Sequence, residues 1–351
     1  MMNINLKQII MVDINWSELP FGYIKTDHNV RYYWKDGKWS DMEISSSEKF
    51  DIHISATGLH YGQESFEGLK AYRGKDGKVR LFRWQENAKR MQRSAQGIMM
   101  AEVPVEMFGE AIMKTVRMNS KYIPPYGTGA TLYIRPLLFG SGAEVGVKPA
   151  SEYMFLVFVT PVGPYFKEGF NPVKVLILRD FDRAAPLGTG NLKVGGNYAA
   201  SLRSLAKGHD LGFSNVLYLD AKEKKYLDEI GAANFFGIRD NTYITPKSDS
   251  ILPSITNMSI VQLAQDLGLK VERRPVPVEE LESFEEVGAC GTAAIISPIS
   301  EVVDIDKNKT YSYCKDGKPG PVSTKLFETL QGIQYGELED KHGWTQIIEV
   351  D

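Results

Sequence analysis

A single lysine, Lys193, stands in the run Gly188-Thr189-Gly190-Asn191-Leu192-Lys193-Val194-Gly195-Gly196-Asn197-Tyr198, with four glycines within five positions of it. A lysine meant only for the surface has no need of such neighbours. Glycine removes side-chain bulk and admits positive φ, so the run is expected to bend tightly and bring its backbone close to a bound group. An amine held there, away from water, has a lowered pKa and can attack a carbonyl carbon to form a Schiff base. The rest of the chain has to be built around that amine.

The 351 residues suffice for two domains of ordinary size, each with its own core. A hydrophobic fraction of 43% and a charged fraction of 24% are those of a soluble globular enzyme. The formal net charge of -3 is too near neutral to suggest a nucleic-acid or membrane partner. Cys290 and Cys314 lack metal-ligand spacing, so neither a disulfide framework nor a metal site is expected. No apolar run reaches the roughly 18 residues that span a bilayer. The start, Met1 to Trp16, has Asp13 close behind a short apolar patch and no small-residue cleavage site, unlike a signal peptide. Met11 offers an alternative start, which would leave a non-folding leader. A cytoplasmic location is expected.

Three Asp-Gly pairs, Asp36-Gly37, Asp76-Gly77 and Asp316-Gly317, lie between or beside strand-like runs and read as type I′ hairpin turns. Helical periodicity marks Gln85 to Ile98, with Met91, Ala95 and Ile98 on one face, and Glu106 to Asn119, with Phe108, Ile112 and Val116. Apolar strands are expected at Thr131 to Leu138 and Tyr153 to Thr160. The segment Pro161-Val162-Gly163-Pro164-Tyr165-Phe166-Lys167-Glu168-Gly169 breaks regular structure, so 161–169 is read as a linker. It divides a smaller N-terminal domain, 1–160, from a larger C-terminal domain, 170–351, which carries the lysine. In the latter, Val173 to Leu178 and Asn215 to Leu219 read as buried strands. Tyr198 to Lys207 reads as a helix with an apolar face of Leu202, Leu205 and Ala206. Thr256 to Leu267 is a helix ended by Gly268, and Phe327 to Ile333 is a terminal helix. Without a strict βαβ rhythm, the fold class is α+β with mixed sheets.

The lysine run satisfies neither phosphate-loop spacing. A P-loop needs GxxxxGK followed by Ser or Thr, and the position three after Gly190 is Lys193 rather than the glycine of GxGxxG. A pyridoxal phosphate enzyme needs a lysine, an acid for the pyridine nitrogen, a phosphate cup and a cation for a substrate carboxylate. Glu229 is the candidate acid, where Leu227-Asp228-Glu229-Ile230 turns through Gly231 and Ala232 into Ala233-Asn234-Phe235-Phe236. Asp228, its strand neighbour, is expected to face the other way and be exposed. Ser254-Ile255-Thr256 after Pro253 opens a helix, offering unpaired N–H groups and hydroxyls to an anion. Gly291-Thr292-Ala293-Ala294 is a second small-residue turn with a hydroxyl. Arg90 on the first helix is a candidate for the charge, against the alternative of a solvated helix arginine. Tyr198, five residues after Lys193, can return its phenol to the cofactor's ring oxygen. In Tyr133-Ile134-Arg135-Pro136, Tyr133 and Arg135 share one strand face, suited to bidentate capture of a carboxylate.

These residues resemble the branched-chain amino acid aminotransferases, pyridoxal phosphate enzymes of fold type IV. The likeness rests on Lys193 with Gly195-Gly196-Asn197-Tyr198, on Glu229 to Asn234 and on Tyr133-Ile134-Arg135-Pro136. It extends to Phe21-Gly22-Tyr23-Ile24-Lys25-Thr26-Asp27 and to Leu59-His60-Tyr61-Gly62-Gln63-Glu64-Ser65-Phe66-Glu67-Gly68-Leu69-Lys70-Ala71-Tyr72. Leu81-Phe82-Arg83, Pro161-Val162-Gly163, Ile251-Leu252-Pro253 and Gly291-Thr292-Ala293 follow in the same order. The resemblance implies Lys193 as Schiff-base lysine and proton carrier, Glu229 as pyridinium partner and Tyr198 beside the ring oxygen. It implies phosphate binding by Arg90, Ile255, Thr256 and Thr292. Phe66, Tyr133, Arg135 and Tyr165 are implied to line the substrate pocket, with the Ala293 N–H on the α-carboxylate. Tyr61 and Val147 are implied to act across a homodimer interface, so that the partner chain completes the site.

The implied reaction is ping-pong exchange of an amino group between L-leucine, L-isoleucine or L-valine and 2-oxoglutarate. Two departures from the family stand out. Ala232 occupies a position where threonine is frequent, and Ala294 and Ser297 replace the CxxC pair of animal members, so thiol regulation of that type is not expected. A D-amino acid aminotransferase or aminodeoxychorismate lyase is the near alternative, and a non-catalytic pyridoxal phosphate carrier the distant one. The Tyr133–Arg135 pair favours the L-branched-chain reading over the first two, and Lys193 with Glu229 disfavours the last.

Overall fold

Residues 14–163 and 170–350 are described by the computed structural model. The leader expected before Met11, most of the 161–169 linker and Tyr165 lie outside the described residues.

Alternating apolar runs build a first sheet from β1 (Asn29–Lys35), β2 (Lys38–Trp39), β3 (Glu43–Ser45), β4 (Glu64–Phe66), β5 (Leu69–Arg73), β6 (Val79–Phe82), β7 (Thr131–Gly140) and β8 (Glu152–Val162). Every pairing in it is antiparallel. Helices α1 (Thr57–Tyr61), α2 (Trp84–Gly97) and α3 (Val105–Met118) interrupt these strands. Met91 and Ala95 of α2 and Phe108, Ile112 and Val116 of α3 are buried against Leu132, Ile134, Phe155 and Val157, as their spacing requires. Apart from Ala95, each such side chain, fully buried, contributes about 1.5–3 kcal/mol.

The three Asp-Gly pairs part company. Asp36 and Gly37 both have positive φ between paired Lys35 and Lys38, a two-residue type I′ hairpin. Residues 74–78 form a longer turn instead: the strands pair at Arg73 and Val79, and of the pair only Gly77 is left-handed. Asp316 and Gly317 both have positive φ but sit in a 3₁₀ turn leading into a helix, so no hairpin forms there.

The second sheet comprises β9 (Val173–Ile177), β10 (Asn215–Leu219), β11 (Leu227–Ile230), β12 (Ala233–Arg239), β13 (Thr242–Pro246), β14 (Lys270–Arg274), β15 (Glu286–Gly291), β16 (Ile295–Asp304) and β17 (Lys309–Ser312). The order β11-β10-β9-β16-β15-β12, closed by pairing of β11 with β12, makes a six-stranded barrel. The mixed pairing lies here: β9 runs parallel to β10 and β16, and β13 to β14. Val175, Leu217, Ile230, Phe235, Val287 and Val302 belong to its apolar core. Helices α4 (Gly195–Asp210), α5 (Ile255–Asp266) and α6 (Pro321–Tyr335) complete this part. The last strand, β18 (Thr345–Ile348), returns to pair with β6 of the first sheet. A core shared by Tyr72 and Phe82 with Phe236, Ile260, Leu330 and Ile333 joins the two sheets.

Two expectations are corrected. Helix α4 does not turn Leu202, Leu205 and Ala206 inward: Leu202 is 62% exposed, and Asn197, Ser204 and Gly208 are the buried residues. A Cβ at Gly208 would lie 3.1 Å from Val216, so the helix packs on its small residues and the leucine falls on the outer side. Asp228 is buried, not exposed. It does diverge from Glu229, but its own side of β11 is covered by the 248–250 segment, where Ser250 Oγ donates to it at 2.6 Å.

Candidate active site

The lysine run is clamped between the two halves of the fold. The Lys193 carbonyl accepts from the Phe66 N–H and the Ser65 hydroxyl of β4, and its N–H donates to Ser94 Oγ of α2. Asn197 Nδ2 donates to the carbonyls of Thr189 (2.6 Å) and Leu192 (3.0 Å), fixing the loop onto the first turn of α4. None of the four flanking glycines has positive φ, so at Gly190 and Gly195 it is bulk, not handedness, that is avoided, while a Cβ at Gly196 would meet nothing within 4 Å. A Cβ at Gly190 would stand 2.4 Å from the Ser250 carbonyl, and one at Gly195 would stand 1.7 Å from Glu64 Oε1.

Among the described residues Lys193 Nζ has no carboxylate partner; it donates to Tyr198 Oη at 2.7 Å and lies 4.7 Å from the Phe66 ring centre. Burial lowers its pKa to about 8, with the Arg90 charge adding to the effect. Burial also pushes the Tyr198 phenol up to about 12, so it remains protonated. The result is an amine with access to its neutral, nucleophilic form near neutral pH.

Glu229 faces the same region from the β11–β12 hairpin, whose turn is Gly231-Ala232. Pairing of Glu229 with Asn234 across that hairpin explains why Asn234 Nδ2 donates to Oε1 at 2.7 Å. Arg183 Nη2 meets Oε2 at 2.7 Å. Burial raises the Glu229 pKa to about 7, against the lowering pull of Arg183. Arg183, Tyr198, Glu229, Ala232 and Leu252 border one small cavity.

Arg90 is not a solvated helix arginine. It is buried, with Nε and Nη2 each 2.7 Å from the Glu67 carboxylate and Nη1 donating to the Pro253 carbonyl at 3.0 Å. Pro253 precedes the Ser254 N-cap of α5, which accepts the Asn257 N–H. Ile255, Thr256 and Thr292 border a second cavity together with Lys70, Asn87 and Gln334. Thus the two small-residue segments chosen from sequence converge, with the arginine docked beside one of them.

On β7, Arg135 Nη2 donates to Tyr133 Oη at 3.2 Å, and its guanidinium lies 4.9 Å from the Phe66 ring, so all three share a face with Lys193. Arg135 Nε is buried without a hydrogen-bond partner among the described residues. Ala293 lies in the β15–β16 turn, where its carbonyl accepts from Lys70 Nζ at 2.8 Å. A cavity of about 110 Å³ at the barrel mouth runs past Ala232, Thr292, Ala293, Ala294 and Ser297. Tyr61 and Val147 stand apart on the surface, Val147 at 86% exposure, near each other through a bond from the Tyr61 hydroxyl to the Val145 carbonyl.

Sequence reasoning missed Glu67, Lys70, Arg183 and Asn234. Glu67 and Lys70 carried a usable signal, two charges flanking Gly68-Leu69 inside an apolar strand pair. Arg183 carried none, being ten positions from the lysine in an irregular segment.

The class IV amino-transferase family model matches residues 64–302. The chain belongs to the class IV aminotransferases. Within this family it is 47% identical to a branched-chain-amino-acid aminotransferase of Haemophilus influenzae over 346 residues, covering 97% of this chain and 100% of the relative. The crystal structure of the Escherichia coli branched-chain amino acid aminotransferase superposes with a TM-score of 0.77 at 29% identity, covering 93% of this chain and all of that one. The branched-chain aminotransferase of the archaeon Thermoproteus uzoniensis, solved with norvaline, is 25% identical with a TM-score of 0.75, over 91% of this chain and all of that one. Class IV aminotransferases use pyridoxal 5′-phosphate, and this aminotransferase is one of them. No described helix is long and apolar enough to cross a membrane.

Proposed function

We propose that this chain exchanges amino groups between L-leucine, L-isoleucine or L-valine and 2-oxoglutarate, giving branched 2-oxo acids and L-glutamate in a ping-pong cycle. The Lys193 amine carries the reading: it is half-buried, bonded to a phenol instead of an acid, and surrounded by Phe66, Arg135 and Tyr198. The donor set suits pyridoxal 5′-phosphate. Lys193 Nζ would take its aldehyde, Glu229 its ring nitrogen and Tyr198 Oη its ring oxygen. Arg90, Thr256, Thr292 and the Ile255 N–H would take its phosphate. Bound there, the group supplies an electron-accepting ring to the substrate Cα.

Lys193 Nζ then takes the Cα proton and returns it, held in place by Tyr198. Glu229 keeps a proton on the ring nitrogen by staying anionic. The Ala293 N–H receives the α-carboxylate. Phe66 and Tyr133 provide apolar wall for a branched side chain, and Arg135, whose Nε is unpaired among the described residues, provides the cation for the glutamate side chain. Added alone, L-leucine should release one branched 2-oxo acid per site and then stop until 2-oxoglutarate arrives. Continued release without an acceptor, or none at all, rejects the cycle. Arg135→Ala should cut glutamate turnover at least about tenfold more than leucine turnover, as loss of a partner for the side-chain carboxylate affects only the substrate that has one. Equal losses in steady-state kinetics reject the division of labour.

We also propose a homodimer in a cytoplasmic setting, formed where Ile54, Leu59, Tyr61, Val145 and Val147 leave apolar side chains exposed. Tyr61 and Val147 would reach the partner's site. Val147→Asp should shift the sedimenting species from two chains toward one and lower activity with it. An unchanged dimer with unchanged kinetics would place the interface elsewhere.

A further inference from the structure

Arg183 touches three separate segments around Glu229. Its Nη2 lies 2.7 Å from Glu229 Oε2 and donates to the Gly190 carbonyl at 3.0 Å and to the Ser250 carbonyl. Gly190 belongs to the loop that carries Lys193. Ser250 belongs to the segment before α5, and its hydroxyl also holds Asp228. The approach is close enough that Gly190 has no room for a Cβ against Ser250. Arg183 Nε is itself buried and without a partner among the described residues, in the wall of the cavity shared with Tyr198, Glu229 and Ala232.

We infer that Arg183 is a positioning residue for the cofactor-ring end of the site, clamping the Glu229 carboxylate in its charged form and in register with the Lys193 loop. This rests on the cofactor assignment above. A buried carboxylate without a cation tends to take up a proton and lose its hold on a protonated ring nitrogen. Around Glu229 the charged and titratable groups are Arg183, Asp228, Tyr198 and Cys290. Tyr198 and Cys290 are each pushed up to about 12 and stay neutral between pH 6 and 9. Burial raises Asp228, which adds no cation. Arg183 is therefore the single positive charge bonded to Glu229 among the described residues.

The test follows cofactor release from full-length holoprotein by absorbance after dilution into a pyridoxal phosphate scavenger. Wild type, R183Q, R183K, E229Q and R183Q/E229Q are compared across pH 6 to 9. R183Q should release cofactor about tenfold faster than wild type at neutral pH, the equivalent of one pKa unit at Glu229. With Glu229 already near pKa about 7, loss of the cation moves its titration upward. The gap to wild type should therefore narrow as pH rises and Glu229 regains its charge. R183K, which keeps the charge, should recover most of the loss and keeps the question open to measurement if R183Q folds poorly. In the E229Q background, R183Q should add nothing. Additive losses in the double variant, or a pH-independent loss equal in R183Q and R183K, would overturn the inference. A wild-type protein that holds no pyridoxal phosphate would instead overturn the cofactor assignment on which it rests.

Discussion

Lys193→Ala should lower leucine turnover by about ten-thousandfold or more, since it removes both the covalent anchor and the proton carrier, each worth orders of magnitude. The same change should leave the fold intact. Among the described residues Lys193 Nζ bonds only the Tyr198 phenol, and its charged form is disfavoured by burial. Deleting it removes a desolvation penalty, so the melting temperature should hold or rise, the usual trade of stability for activity at a site. The two readouts together separate a catalytic lysine from a structural one: lost activity with lost stability would count against it. The pH dependence has a fixed sign. The attacking species is the neutral amine, and the folded value of about 8 lies below the ordinary 10.5. Capture of pyridoxal phosphate by the wild-type chain should thus accelerate as pH rises and level off above about 8, whereas an unperturbed amine would still be gaining at about pH 10. Rapid-mixing absorbance over that range decides between them.

How much of this was legible before any fold was known differs by residue. Helices α2 and α3 were written in their apolar spacing, because the faces of Met91, Ala95, Phe108 and Ile112 are covered by the first sheet and by each other. The lysine loop was legible because the glycine at 190 answers to a backbone neighbour so close that any other residue fails there on bulk alone. Helix α4 misled because it packs through Ser204 and Gly208, small residues that hydropathy does not score, leaving Leu202 outside. Asp228 misled because alternation tells which way a side chain points and not what covers it. The barrel's pairings of β9 with β16 and of β12 with β15 could not be read at all, since strands that pair across such distances in sequence leave no local trace. Arg183 belongs to that class: its acceptors at Gly190, Glu229 and Ser250 come together only after the barrel forms.

In the sequence Glu67 stands out as a charge beside Gly68-Leu69, and the structure makes its loss costly in stability. Both its oxygens meet Arg90, at 2.7 Å each, and Asn87 Nδ2 adds a third bond at 2.8 Å to Oε2. The Arg90 and Glu67 side chains are 5% and 0% exposed, so water cannot replace either partner. Glu67→Gln preserves shape but removes the charge and turns an amide N–H toward the guanidinium donors. An unpaired buried charge left in this way costs about 3–5 kcal/mol, a large share of a domain's stability. Denaturant unfolding should show a loss of that size, and a change under about 1 kcal/mol would show that the pair is dispensable. Glu67→Leu with Arg90→Met should recover most of the lost stability, because removing both charges also removes their desolvation. That double variant should still fail to retain pyridoxal phosphate, since no guanidinium is left beside Pro253 and the Ser254 cap. Stability restored with cofactor retention lost would show that the pair is kept for the anion it prepares to receive. Retention restored along with stability would reduce Arg90 to a structural residue.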